Sequence, residues 1–134
     1  MAKASGIGWT TLSVDLADGT TATAIKNDVT NLQFSTPRGV QNTTGVDKSA
    51  MERLLLLADF SITLNGVFNA ALSHTVFSTV TSGTTLRTTT LVVNGATLPN
   101  ECLYTDYALT RANTGELTWT APGVLADGTI PTWS

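Results

Sequence analysis

The sequence contains few charged residues. Of 134 residues, 7 are Lys or Arg and 10 are Asp or Glu, so 13% of the chain is charged against about 25% in an average soluble domain. The net charge is -3, and the basic residues stand singly, without the basic stripe that holds nucleic-acid phosphates. The composition therefore argues against tight nucleic-acid binding. It predicts a surface of hydroxyl and amide groups with few charges to prevent self-association.

Cysteine and histidine occur once each. Cys102 alone cannot form an intrachain disulfide or a cysteine-based metal site, and its apolar and aromatic neighbours predict a packed thiol. His74 would need a nucleophile from among Ser73, Ser78 and Cys102, and no motif supplies a third group to orient the pair. The sequence also lacks G-x-S-x-G, H-E-x-x-H, Walker A and G-x-G-x-x-G patterns. We therefore expect no catalytic, cofactor-binding or metal-binding residues.

Long apolar runs are also missing. No stretch approaches the ~18 to 20 apolar residues of a membrane span, and "MAKASGIGWTTL" at the N-terminus lacks the apolar segment of a signal peptide. We expect neither a membrane anchor nor secretion.

Alternation of polar and apolar residues runs through most of the chain and predicts a mainly β protein. The predicted strands lie in "GIGWTTLSVDL", "TATAIK", "NLQFS", "TLRTTTLVVNG", "ECLYTDYALTR" and "ELTWTAP". In the fifth of these, Leu103, Tyr107 and Leu109 would share one face. The pentapeptide "LADGT" at 16–20 and 125–129 offers one Asp per copy, too few for calcium, so both copies are predicted to be Asp-Gly turns.

A helix is predicted over 69–80, "NAALSHTVFSTV". Asn69 can cap it, and Leu72, Val76 and Val80 recur on one side.

Residues 36–48, "TPRGVQNTTGVDK", have no apolar period and predict a polar excursion between strands. We expect an excursion of this length to be functional or mobile in the free subunit.

Four consecutive leucines follow within "MERLLLLADFSITLNG", residues 51–66. A capping-box pattern from Ser49 to Glu52 favours a helix over 50–58. Extending period two backwards from Phe60 favours a strand instead, unless a bulge near Asp59 shifts the phase. That strand would have Leu54, Leu56 and Ala58 on its core face and Met51, Leu55 and Leu57 on the other.

In either conformation the leucines point to more than one side of the element, so packing against one side cannot bury all of them. The predicted helix at 69–80 could cover them within the monomer, or a second copy of the chain could do so. Burying a leucine is worth about 1.5 to 3 kcal/mol, so two or three per subunit would contribute substantially to assembly. The nearly uncharged strand "TTTLVVNG" also carries little protection against edge pairing.

Two segments resemble the tail tube (major tail) proteins of long-tailed bacteriophages: "LADFSITLNGVFNAALSHTVF" and "ECLYTDYALTRANTGELTWTAPGVLADGTIPTW". The similarity rests on the strand "DFSITLNGVFN" leading into a helix with His74, the "TDYALTR...GELTW" hairpin and a terminal Gly-x-Ile-Pro-x-Trp. It extends more weakly through "NDVTNLQFSTPRGVQNTTGVDKSAMER", and so covers nearly the whole chain.

The resemblance implies one tail tube domain over 1–134, an antiparallel β-sandwich or barrel-like fold with one flanking α-helix and a long inter-ring loop. Six copies would form a ring, and stacked rings would form a hollow conduit for genome delivery into the host cell. The polar excursion at 36–48 matches the inter-ring loop, and the leucines lie on the strand returning from it. The resemblance thus implies these ring and subunit contacts: Arg38, Val40, Gln41, Thr43, Val46, Lys48, Met51, Leu55 and Leu57.

The expected partners are other copies of the chain, tape measure, tail tip or baseplate and tail terminator proteins, and DNA passing through without specific binding. The expected location is the virion, after assembly in the host cytoplasm. A negative subunit suits a DNA conduit, because a wall without a cluster of Lys or Arg does not hold phosphates. Two alternatives remain: a tail terminator or head-tail joining ring of similar fold, and a carbohydrate-binding β-sandwich using Trp9, Trp119 and Trp133.

Overall fold

Ten β-strands and one short helix make up residues 6–134, the part of the chain that the computed structural model describes. The strands are β1 (Trp9–Asp15), β2 (Ala22–Ala24), β3 (Val29–Ser35), β4 (Arg38–Asn42), β5 (Arg53–Ala58), β6 (Ser61–Val67), β7 (Arg87–Val93), β8 (Ala96–Tyr104), β9 (Ala108–Arg111) and β10 (Leu117–Leu125). The helix α1 spans Ser73–Phe77 and connects β6 to β7. The prediction of a mainly β protein is confirmed.

Eight strands form one antiparallel sheet in the order β2-β1-β7-β8-β10-β6-β3, with β9 pairing to β10 beside that path. β2 and β3 lie at opposite ends of the order, yet the five Cα–Cα steps from Ala24 to Val29 span at most about 18 Å. The sheet must therefore curl until its two ends approach each other. The ring of Trp9 on β1 indeed contacts that of Phe34 on β3, with centroids 6.0 Å apart. The result is the antiparallel, barrel-like fold that the resemblance implied.

The core lies inside this curled sheet and is built from alternate residues of its strands. On β6, Ile62 and Leu64 are buried, whereas Thr63 between them is exposed. Trp119 on β10 is the largest fully buried side chain. Phe77 of α1 packs against it with ring centroids 5.1 Å apart, so the helix closes one side of the core.

The predicted helix over 69–80 is shorter in the structure, with turns on both sides of the five residues of α1. Thr and Val lose rotamer freedom in a helix, which limits its length. Asn69 does not cap α1, because its side-chain oxygen accepts from the backbone N–H of Ala71. The buried carboxylate of Asp28 instead accepts from the backbone N–H of Ser73 and from the Asn69 amide. Of the three residues expected on one side, Val76 is buried and Leu72 and Val80 are half-buried.

Two strand predictions were wrong in detail. The segment "ECLYTDYALTR" is two strands, β8 and β9. Leu103 and Leu109 do not share a face, because Leu103 pairs with the exposed Val124 and Leu109 pairs with the buried Trp119. The segment "TTTLVVNG" lies in β7, which pairs with β1 on one side and β8 on the other, so it is not an edge strand. A local pattern cannot show which strands pair, because pairing partners are distant in the sequence.

Both "LADGT" turns are confirmed, with φ values of 73° at Gly19 and 75° at Gly128. Asp18 holds the first turn by accepting from the Thr21 hydroxyl and from the backbone N–H groups of Thr20 and Thr21. These hydrogen bonds, the Thr21 hydroxyl foremost, lower the pKa of Asp18 to about 2. In the second turn the carboxylate of Asp127 accepts from the backbone N–H of Thr129 at 2.9 Å.

The Cys102 thiol is fully buried in the core, as predicted, and its burial raises its pKa to about 11. Because thiolate is the reactive form, we expect a maleimide to leave the folded protein unlabelled at pH 7 and to label it fully in denaturant. The raised pKa also means that the folded state holds this proton more tightly than the unfolded state. Its contribution to stability is present below the ordinary thiol pKa and is lost as pH rises through about 11. Rapid labelling of the native protein would contradict this placement.

Candidate functional site: an exposed apolar hairpin

β4 and β5 form a two-stranded antiparallel sheet that is not hydrogen-bonded to the main sheet. The prediction that residues 36–48 contain no strand was therefore wrong, because Arg38–Asn42 is β4. The helical alternative for 50–58 was wrong as well, because Arg53–Ala58 is β5. A strand partner close upstream in the chain satisfies the backbone groups of the leucine stretch, and this pairing outweighs its local helix propensity.

A bulge lies near the base of this hairpin. Arg38 pairs with Ala58 and Val40 pairs with Leu55, so Gly39 stands opposite both residues 56 and 57. The bulge ends two residues before Asp59, so the position allowed for it from the sequence was about right. Arg38 Nε donates a hydrogen bond of 2.9 Å to the carbonyl oxygen of residue 56. The extra residue shifts the alternation of side chains between the two faces.

All four consecutive leucines are exposed, with fractional exposures of 56% for Leu54, 61% for Leu55, 44% for Leu56 and 91% for Leu57. The expected core face through Leu54, Leu56 and Ala58 was therefore wrong. The first buried residue that follows the hairpin in the chain is Phe60.

The base of the hairpin accounts for the separation. The backbone N–H of Asp59 donates to the carbonyl oxygen of Pro37 at 2.9 Å, which closes the hairpin beside the end of the β3–β6 pair. Pro37 has no N–H to continue the ladder. The helix does not cover the leucines within the chain either, because α1 packs against Tyr104 and Trp119 of the core. That alternative was also wrong.

The tip of the hairpin is held by Thr44. Its hydroxyl donates to the Asn42 side-chain oxygen at 2.7 Å and accepts from the backbone N–H of Glu52 at 2.8 Å. Lys48 lies 3.6 Å from the Asp47 carboxylate and 3.7 Å from that of Glu52. These ion pairs are exposed and add little stability. The tip thus has a defined backbone path, while the mobility expected for the free subunit stays a prediction.

A groove of about 770 Å³ runs along the base of the hairpin. Residues 55–58 and Gly39 line one side, and Gly128 and Ile130 from the segment after β10 line the other. Arg38 is the one charged side chain among the lining residues, and Ile130 is 67% exposed. An apolar groove of this size can receive several side chains, but it lacks the converging polar groups that orient a small substrate.

The structure brings the nine sequence-predicted contact residues onto this one hairpin, and all of them are exposed. Three lie on β4, three in the tip, and three on or just before β5: Arg38, Val40, Gln41, Thr43, Val46, Lys48, Met51, Leu55 and Leu57. Sequence reasoning missed Leu54 and Leu56, which it assigned to the core, and Ile130 across the groove. The quoted Gly-x-Ile-Pro-x-Trp segment contained Ile130, but no sequence signal places it beside the leucines.

The other candidate sites do not assemble. His74 Nδ1 lies 3.3 Å from the Tyr107 hydroxyl, and its ring packs against Phe68. Within residues 6–134, no group of three or more His, Cys, Asp or Glu side chains is placed to hold a metal ion. The same residues include no helix that is long and apolar enough to cross a membrane.

The three tryptophans do not form an open sugar platform. Trp119 is 1% exposed, and the rings of Trp9 and Trp133 both pack against Phe34. Aromatic packing in and around the core accounts for all three side chains.

Comparison with solved structures identifies the fold. A chain from the tail of an empty gene transfer agent particle, solved by helical refinement with C6 symmetry, matches with a TM-score of 0.69 and 15% sequence identity over 92% of each chain. A chain from the virion of a native gene transfer agent particle matches with a TM-score of 0.74 and 14% identity, over 98% of this chain and 99% of that one. No protein-family model matches the sequence, and no curated protein sequence matches it significantly. The chain thus shares the fold of subunits in these particles along almost its full length.

Proposed function

We propose that this protein is a structural subunit of a phage-type tail, and that six copies form a ring and stacked rings form the tail tube. The observation that carries the proposal is the hairpin of β4 and β5, which exposes four consecutive leucines. A monomer gains nothing from such a surface, whereas a neighbouring copy can cover it. The C6 symmetry of the tail that contains a chain of the same fold supports the ring of six.

The energetics fit assembly by many weak contacts. Covering two or three leucines of one subunit contributes roughly 3 to 9 kcal/mol. Bringing two subunits together costs an estimated 4 to 15 kcal/mol, so a single contact leaves a pair of subunits weakly associated. In a closed ring each subunit has two neighbours, and stacking adds further contacts. Rings and tubes are then stable where isolated dimers are not.

The interface is heterologous in this proposal. The nine hairpin residues named above form one surface, and the surface that receives them on the next copy is different. Head-to-tail contacts of this kind close into rings or extend into filaments. The apolar groove beside Ile130 lies at the base of the hairpin, so a contact there would extend the same interface.

The tube would serve as the conduit through which DNA leaves the particle, without catalysis or a cofactor. Its partners would be a tape measure protein inside the growing tube, tail tip or baseplate proteins at one end and a tail terminator at the other. Its place would be the virion, after assembly in the host cytoplasm.

Negative-stain electron microscopy of the purified, concentrated protein tests the proposal. We expect tubes or stacked six-fold rings, with sedimentation showing species far larger than 14.0 kDa. Isolated rings that never stack would favour a tail terminator or head-tail joining ring instead. A strictly monomeric protein at high concentration would overturn both readings.

A further inference from the structure

The outer face of the sheet formed by β3, β6 and β10 carries no charged side chain. None of the three strands contains Asp, Glu, Lys or Arg. Eleven residues point outward, away from the core, and eight of them are hydroxyl or amide residues: Asn31, Gln33, Ser35, Ser61, Thr63, Asn65, Thr118 and Thr120. The others are Val67, Pro122 and Val124.

This composition departs from an ordinary exposed surface. About 25 to 35% of surface positions are normally charged, and even at the 13% of this charge-poor chain eleven positions would carry one or two charges. Charged residues of the chain lie in loops, in the apolar hairpin and on other strands, such as Glu101 on β8 and Arg111 on β9. The uncharged face is therefore a continuous surface across three paired strands.

Several polar groups on this face are already hydrogen-bonded to each other. Thr120 Oγ1 donates to Asn65 Oδ1 at 2.8 Å, and the hydroxyl oxygens of Ser35 and Ser61 lie 3.2 Å apart. Asn31 stands directly opposite Asn65 in the register, and Gln33 opposite Thr63. Neutral groups paired in this way still bind water, but they offer no positively charged donor to an anion.

We propose, on the basis of the function proposed above, that this uncharged face lines the lumen of the tube and meets the DNA in transit. The wall of a water-filled conduit must be hydrophilic, which excludes the leucine hairpin. It must also lack exposed Lys and Arg. Each phosphate that such a residue neutralises releases counterions from the DNA and strengthens binding. A neutral wall meets both conditions and makes contact with DNA almost independent of salt.

Cysteine labelling of the Thr63→Cys variant tests the placement. Thr63 is exposed in the middle of the face, and the native Cys102 is buried, so background labelling is low. In assembled tubes we expect a small maleimide to label Cys at position 63 at nearly the rate seen in unassembled subunits. A maleimide on a globular carrier too wide for the bore should label tubes at least ten-fold more slowly than subunits. The same variant combined with Leu55→Asp and Leu57→Asp, which is expected to stay unassembled, is the matched control.

The outcomes separate the inference from the proposed function. Equal labelling of tubes by both reagents would place Thr63 on the outside, and labelling by neither would bury it between subunits; each result overturns the inference and leaves the tube intact. A protein that forms no tubes at all overturns the proposed function and the inference together.

A charge placed on the same face gives an independent measurement. Tubes of Thr63→Lys should retain nuclease-protected double-stranded DNA at least ten-fold more than tubes of the neutral control Thr63→Gln at about 50 mM salt, and the excess should vanish at high salt. Equal retention by the two variants at low salt would show that DNA does not meet this face.

Discussion

Replacing both Leu55 and Leu57 by aspartate is expected to abolish assembly while leaving the fold of the subunit intact. The two side chains are 61% and 91% exposed, so the substitutions should change the free energy of unfolding of the monomer by less than about 1 kcal/mol. In the assembly each leucine would contribute about 1.5 to 3 kcal/mol, and a buried aspartate adds a desolvation cost. Losing at least about 3 kcal/mol per subunit lowers the association constant more than a hundred-fold. Sedimentation velocity measures assembly, and thermal unfolding verifies the fold.

Leu103→Asp combined with Leu109→Asp is the matched control, because it adds the same two negative charges at exposed leucines, at 38% and 46%, on β8 and β9 outside the hairpin. We expect this variant to assemble like the wild-type protein. If it also prevents assembly, added negative charge alone accounts for the effect. If the variant at Leu55 and Leu57 still forms tubes, the leucines are not the interface and the proposed function loses the observation that carries it.

The parts of the fold that the sequence predicts well are those in which a strand is buried on one side along its whole length. On β6 every second residue, such as Ile62 and Leu64, faces the core, because a single long-range partner surface covers that side. The Asp-Gly turns were predictable for the same local reason, since glycine permits a positive φ. Both features depend on the residues of one short segment.

The packing of the hairpin is not predictable in this way. The alternation of Leu54, Leu56 and Ala58 continues without interruption into Phe60, yet only Phe60 is buried in the core. Whether a strand packs on the core depends on which strand it pairs with, and β5 pairs with β4 instead of the main sheet. Period two alone cannot distinguish these two environments.

The candidate site was predicted by resemblance more than by pattern. Residues 36–48 gave no apolar period, and their assignment to a contact loop came from the similarity to tail tube proteins. The side of the groove contributed by Ile130 could not be predicted, because more than 70 residues separate it from Leu57 and only the folded chain brings them together. Asp28, which holds the start of α1 from 45 residues upstream of Ser73, was missed for the same reason.

Trp119→Ala is expected to be the most destabilising single substitution considered. The indole is 1% exposed, its Nε1–H donates to the carbonyl oxygen of Val67 at 3.0 Å, and its ring packs on Phe77. Removing a buried tryptophan typically costs about 3 to 5 kcal/mol. A domain of this size is stable by about 5 to 15 kcal/mol. We therefore expect the free energy of unfolding, measured by urea titration, to fall by about half. The melting temperature should fall by about 10 to 20 °C.

The close fit around this ring makes the loss hard to relieve by repacking. A Cβ atom at Gly66 would lie 2.7 Å from Trp119 Cζ2, so the glycine provides the space that the indole occupies. Trp119→Phe keeps an aromatic ring but leaves the Val67 carbonyl unpaired, and it should lose about 1 to 3 kcal/mol. Trp133→Ala is the control, since that ring is 46% exposed and packs on Phe34 at the surface of the core. If Trp119→Ala costs no more than Trp133→Ala, the indole does not anchor the sheet to the helix, and this arrangement of the core is incorrect.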